Sequence, residues 1–317
     1  MSGFRHEALL YREVDGFVRA VLPFVTAGLD RGEPVLVAVS SRKAQAVRDS
    51  LPPRVRDAPE LTLVDMAAAG RNPARSVSVW SEFTREPGHP RRGVAELLWP
   101  GRTADEIVEC QHSERVLNVA LADAPLRLVC AYDGDGLAAG DVTDAAHHHI
   151  GMATSIADRP VHELPDRPVP AVHFPESPLT ELRAPASIDY HFGGGDLQQI
   201  RDYVAGEASA CLDEPSQAQD LVLAVNEVAS NSIRHGGGHG HLRTWRTDRS
   251  VICEITDAGF LDQPLAGLRR PKATADGGAG MWLVHQVCDL VQVRSSERSG
   301  TVVRLTMNRD REGIRPV

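Results

Sequence analysis

The chain has 317 residues, 42% of them apolar, which is enough for two domains with separate cores. Its 34 Lys and Arg against 43 Asp and Glu leave a formal net charge of −9, so no global positive field exists to hold a nucleic acid or an anionic membrane surface. The longest apolar stretches, such as Ala20 to Leu29, fall short of the roughly 18 residues that span a bilayer, and no signal-peptide core follows Met1 to Arg5, so a cytoplasmic protein is expected.

In chain order, a helical pattern from Tyr11 to Leu29 comes first, then apolar strand-like runs at Val35 to Val39 and Leu61 to Val64. A second helical pattern covers Ala104 to Leu121 and a third strand-like run covers Leu126 to Ala131. Such alternation predicts a mostly parallel sheet flanked by helices. This half holds no Gly-x-x-x-x-Gly-Lys-Ser/Thr, and neither Lys43 nor Lys272 follows a glycine loop, so it has no P-loop for a nucleotide. Tyr132-Asp133 at a strand end fits a ligand contact or a plain turn equally well. The five cysteines are scattered and read as reduced thiols. His147-His148-His149 with Cys110 and His112 is discounted as a metal site, because consecutive histidines diverge on a helix and no tetrahedral ligand spacing is present.

From Ala157 to Pro185 seven prolines remove backbone donors and fix φ, so this stretch is expected to be a semi-rigid linker. Beyond it the pattern predicts a strand at Ala186 to Phe192 and helices at Asp196 to Leu212 and Ser216 to Arg234. Strands at Gly240 to Thr247 and Val251 to Asp257, a helix at Met281 to Leu290 and a hairpin at Val291 to Met307 follow. The expected domains are therefore 1–156 and 186–310, joined by 157–185 and followed by a polar tail, 311–317.

Chemistry concentrates in the second half. Glu227 and Asn231 stand four apart on one helix face, with Arg234 and His235 close behind, which suits a Mg²⁺ ion and phosphates but also an ordinary solvated face. Asp257-Ala258-Gly259 ends an apolar strand, and Asp276-Gly277-Gly278-Ala279-Gly280 feeds directly into an apolar helix whose free amides can receive an anion. Each alone is weak. Their order, closed by Gly300-Thr301 on the last hairpin, is much less easily accidental.

In this order the motifs resemble the GHKL ATPase superfamily, the Bergerat-fold nucleotide binders, over roughly Ala186 to Arg309. The resemblance implies an α/β-sandwich ATPase domain that takes ATP with Mg²⁺. It makes Glu227 the catalytic base, Asn231 the Mg²⁺ ligand, and Arg234 and His235 neighbours of the phosphates. Asp257 would accept a hydrogen bond from the adenine amino group, Gly259 would let the base approach, Gly278 and Gly280 would line the phosphates, and Thr301 would sit near the adenine. The pattern departs from the family where Phe260-Leu261 replaces a second glycine. A histidine kinase would need a phosphoacceptor His on a dimerisation helix directly before this domain, usually with a proline five residues later. Phe4-Arg5-His6-Glu7-Ala8-Leu9 mimics that box, but Tyr11 takes the proline position, and His162-Glu163-Leu164-Pro165 lies among prolines. The compact ATPase with Asn231 to Gly236 is most similar to anti-sigma factor serine kinases. That likeness implies a serine/threonine kinase whose partners are a sigma factor and an anti-anti-sigma protein of the STAS type. The alternatives are a nucleotide-gated sigma-binding regulator without transferase activity and a divergent histidine kinase using His6.

The first half resembles the MEDS sensory domain, a RecA-like α/β scaffold. The likeness rests on His6 and Tyr11, on Ala27 to Val35, on Trp99-Pro100-Gly101-Arg102, on Glu109 to Asn118, and on Val129 to Asp133. It implies a small-molecule ligand without naming it. The oligomeric state stays open, a homodimer included.

Overall fold

The computed structural model describes residues 3–86, 88–150, 152–153, 171–271 and 279–309. The chain divides into two compact units, Met1–Val172 and His173–Val317. Among the described residues no helix is long and apolar enough to cross a membrane.

The first unit runs β1 (Arg5–Tyr11), α1 (Glu13–Asp30), β2 (Val35–Val39), α2 (Ser41–Ser50), α3 (Pro53–Arg56), β3 (Leu61–Asp65), α4 (Met66–Ala69) and α5 (Arg75–Phe83). It continues with β4 (Arg91–Ala95), α6 (Ala104–Ala120), β5 (Leu126–Asp133), α7 (Ala139–His148) and β6 (Met152–Ala153). All its strand pairs are parallel, in the order β3-β2-β4-β5-β1-β6. β2 is buried along its whole length, which is why it is a continuous apolar run and not an alternating one. On one face α1 and α2 cover Leu9, Val37, Val129 and Ala131.

Three strands escape the periodicity expected above, β1, β4 and the two-residue β6. β1 was absorbed into the false phosphoacceptor box, and β4, Arg-Arg-Gly-Val-Ala, carries charges that no buried strand normally shows. The Arg92 side chain is satisfied internally, with Nε donating to Glu33 Oε2 at 2.6 Å and Nη1 to Phe24 O at 3.0 Å. Gly28 lies where a Cβ would meet Arg92 Cδ at 2.7 Å, so the arginine crosses α1 beside a residue without a side chain. Thr103 and Glu106 form a capping box at the start of α6. Just before it Arg102 donates to the carbonyls of Leu97 and Gly70 and stacks on Trp99, which gives the Trp99 to Arg102 motif a structural role.

The second unit runs β7 (Ile188–Gly193), α8 (Leu197–Ser209), α9 (Pro215–His235), β8 (His239–Arg246), β9 (Ser250–Asp257), α10 (Ala279–Val287), β10 (Leu290–Ser296) and β11 (Gly300–Asn308). Every element expected from the sequence is present, with ends shifted by three residues or fewer. The sheet is antiparallel, in the order β10-β11-β9-β8-β7. Val251, Cys253 and Ile255 of β9 alternate with Glu254 and Thr256, and Val303, Leu305 and Met307 of β11 keep the same period. Those apolar residues join Ile200 and Val204 of α8, Leu221, Val225 and Val228 of α9, and Val284 of α10 in one core. Full burial of such side chains stabilises by about 1.5–3 kcal/mol each.

The opposite face of that sheet is charged, with Arg304 donating to Glu254 Oε2 at 2.6 and 3.0 Å. Of the proline-rich stretch, residues 157–170, His162 included, lie outside the described residues. Its remainder has no helix or strand, yet it is not a free tether. Arg294 Nε donates to Ser177 O at 2.7 Å, Arg304 Nη1 to Thr180 O at 2.8 Å, and Trp245 Nε1 to Ala184 O at 3.0 Å. A segment without its own hydrogen-bond ladder is thus held by side chains of the sheet it crosses.

Candidate functional site

α9 is the longest helix among the described residues, starting at Pro215 in its first turn and ending at Gly236. Its apolar stripe fixes the rotation about its axis, which sends Glu227 and Asn231 to one side, both partly buried. Gly280, in the first turn of α10, lies against Glu227. A Cβ there would run into Glu227 Oε2, so the carboxylate reaches the start of α10 only because position 280 is glycine. Asn231 Oδ1 accepts a long hydrogen bond of 3.4 Å from Arg234 Nη2, and Arg234 and His235 are exposed at the end of the helix. Gly278 lies outside the described residues.

Asp257 closes the other side of α9's last turn. Its Oδ2 accepts from Ser232 Oγ at 2.6 Å and its Oδ1 from the Gly259 amide at 2.8 Å. Three glycines make this approach feasible. A Cβ on Gly236 would strike the Asp257 carboxylate, one on Gly259 would meet His235 O at 2.7 Å, and one on Gly300, at φ +74°, would strike Asp257 O. Thr301 pairs with Asp257 across β11 and β9, donates to Gly259 O at 2.8 Å and shares a 2.7 Å hydrogen bond with Ser295 Oγ. The Leu261 amide donates to the same Ser295 hydroxyl at 2.8 Å, so the loop that lacks the second glycine is pinned to the hairpin, with Phe260 left exposed.

The structure therefore gathers Glu227 with Gly280, and Asp257 with Gly259 and Thr301, around the last turns of α9. The motifs read from the sequence contain Ser232, Gly236 and Gly300 but gave them no role at this junction, and Ser295 was missed. Gly236 and Gly300 carried a signal, since each adjoins a motif residue and glycine is the residue that permits close backbone approach. Ser232 and Ser295 carried none. The Asn231 amide oxygen is a hard donor of the kind Mg²⁺ takes, and the same helix face carries the negative charge of Glu227, so these residues fit that ion. Behind the site His285 of α10 is buried, and desolvation pushes its imidazole pKa down to about 4.

The same geometry settles two expectations about the first unit. His6 is in β1 and 3% exposed, so it has neither the helix nor the access a phosphoacceptor needs. Asp133 Oδ1 accepts from the amides of Asp135 and Gly136, an ordinary strand-ending turn, while Tyr132 is buried.

An antiparallel sheet layered on helices, with a carboxylate and glycines at the open end of the central helix, defines an ATPase domain of the GHKL class. Residues 195–307 match the histidine kinase-like ATPase domain family, and residues 5–150 match MEDS, the methanogen/methylotroph DcmR sensory domain. The chain joins a MEDS domain to a histidine kinase-like ATPase domain. No curated protein matches it.

Proposed function

We propose that the second unit is a Mg²⁺-dependent serine/threonine kinase that sequesters a sigma factor, phosphorylates its anti-anti-sigma protein, and is controlled by a small molecule bound to the MEDS domain. The observation that carries this reading is the division of the junction into two ends. Asp257 is anchored at one end, and Glu227 faces the glycine-led start of α10 at the other. In this reading the adenine amino group donates to the Asp257 carboxylate, and Ser232 and Gly259 hold that carboxylate in place.

At the second end Glu227 accepts the proton of the acceptor serine hydroxyl. The serine oxygen forms a bond to the γ-phosphorus, the bond from that phosphorus to the β–γ bridging oxygen breaks, and ADP leaves. Asn231 would hold Mg²⁺, which neutralises charge on the transferring phosphoryl group. In this reading Arg234, at the exposed end of α9, pairs with phosphate oxygens.

Incubation of the full chain with γ-labelled ATP and a STAS-type anti-anti-sigma protein tests the proposal. Label is expected on a serine of the partner. Nucleotide-dependent sigma binding without label would replace the kinase with a nucleotide-gated regulator.

A further inference from the structure

A second constellation lies in the first unit, where no nucleotide motif falls. His6 of β1, Glu114 of α6, Cys130 of β5 and His149 at the end of α7 are all buried between the sheet and the two helices. One donor atom from each comes within 4.8 Å of all the others. His6 Nε2 is 3.0 Å from Glu114 Oε2 and 3.1 Å from Cys130 Sγ, Cys130 Sγ is 3.4 Å from Glu114 Oε2, and His149 Nε2 is 3.5 Å from the same oxygen. Metal–ligand bonds of zinc, at about 2.0–2.3 Å, place tetrahedral ligand atoms roughly 3.3–3.7 Å apart. The four donors are already close to that spacing.

The tautomers are set from outside the cluster. Asn118 Nδ2 donates to Glu114 O at 3.3 Å and His148 O at 3.0 Å, so its Oδ1 is the atom that faces His6 Nδ1 at 3.1 Å. His6 Nδ1 must then carry the proton, and Nε2 presents its lone pair to the cluster. His149 Nδ1 lies 2.6 Å from Ala145 O, a contact only N–H can make, so its Nε2 is likewise a lone-pair donor. Tyr132 OH donates to the other oxygen of Glu114 at 3.3 Å. Two imidazole lone pairs, a carboxylate oxygen and a sulfur converge, and the Cys130 thiol is the one group of the four left to bring a proton. Outer hydrogen bonds that orient histidines and carboxylate in this way are the support a metal site needs.

We propose that His6, Glu114, Cys130 and His149 form a closed, four-coordinate site for a borderline-soft divalent metal, Zn²⁺ being the ion its donor set suits best. Nitrogen and sulfur ligands disfavour Mg²⁺ and Ca²⁺, and four protein ligands leave no open position, so the ion is structural. It ties the end of α7 to β1, β5 and α6, the elements that carry most of the MEDS motifs.

The full chain, stripped with a chelator and reconstituted with Zn²⁺ or Co²⁺, is expected to bind about one equivalent in this unit. The Co²⁺ form should show a thiolate-to-metal charge-transfer band and the strong visible absorption of tetrahedral cobalt. Cys130→Ser should abolish the charge-transfer band, whereas Cys253→Ser, in the second unit, should keep it. Asn118→Ala, which touches no metal, should weaken binding by about 10–100-fold. If Cys130→Ser does not fold, X-ray absorption on the zinc-loaded wild-type chain decides, with one sulfur and three nitrogen or oxygen neighbours expected. A folded wild-type chain that retains no metal, a zinc shell without sulfur, or a charge-transfer band that survives Cys130→Ser overturns the proposal.

Discussion

The carboxylates of the two units sit in opposite surroundings. Glu114 is enclosed with its partners fixed on every side, and its side chain is 5% exposed. Glu227 is half-buried beside a glycine, next to an exposed arginine and histidine. An enclosed carboxylate among lone pairs accommodates something the size of an ion. In the proposed function the half-buried carboxylate instead meets a polyatomic ligand and the partner that reacts with it. The residue type is the same, and only the packing around it differs.

Glu227→Ala and Glu114→Ala sharpen that contrast most. Glu227→Ala should reduce phosphoryl transfer by about 10²- to 10⁴-fold while leaving ATP affinity and melting temperature nearly unchanged. Glu114→Ala strips a buried network of its only carboxylate, and breaking such a network should cost about 3–5 kcal/mol of stability, read by chemical denaturation of the full chain. Equal destabilisation by the two substitutions would erase the distinction.

Acidification gives the next effect. His285 is buried neutral with its pKa lowered from 6.5 to about 4, so between those values the unfolded chain binds the extra proton. Its contribution to stability is complete above pH 6.5, declines as pH falls, and is lost below about pH 4. The full loss is about 3–4 kcal/mol, from about 1.4 kcal/mol for each pH unit of that interval. Denaturation followed through Trp282, three residues away on α10, should show this slope, and His285→Gln should flatten it.

How far the molecule was legible follows from where its partners lie along the chain. The second unit's strands alternate cleanly because one face meets helices and the other is polar, so Val251 to Asp257 could be assigned from period alone. β4 was hidden because its arginines are paired with Glu33 and with backbone carbonyls, which no local pattern records. The nucleotide motifs are short, ordered runs at element ends, whereas His6, Glu114, Cys130 and His149 come from four elements, and no spacing between them forms a motif. His149 did appear in the histidine run that was set aside. Within the run His147 is exposed, and Cys110 donates to Leu97 O. Its true companions were distant.

Asp257→Asn should weaken ATP binding by about 1.5–3 kcal/mol, the worth of a hydrogen bond to a charged group. Both carboxylate oxygens already accept, from Ser232 and from the Gly259 amide, and an adenine amino group would add a third donor. An amide has one oxygen, so its NH₂ must confront one of these donors. Titration calorimetry on the full chain reads the loss, and unchanged affinity would remove Asp257 from the adenine end.

The smallest effect is also the most diagnostic, because stability and activity should move in opposite directions. Gly280 occupies the first turn of α10 at a φ that alanine tolerates, so Gly280→Ala should raise stability by about 0.4–1 kcal/mol through the unfolded chain. The new methyl group meets only the far end of Glu227, a flexible side chain that can swing aside without disturbing the core. Swinging aside removes the carboxylate from the start of α10. Phosphoryl transfer should therefore fall about tenfold, below the 10²-fold that a 1 Å misplacement can cost, with ATP affinity retained. Thermal denaturation and single-turnover transfer on the same preparation test both signs at once. A variant that is more stable and equally active would show that Glu227 does not act from the position against Gly280, and the open carboxylate would lose its claim to be the base.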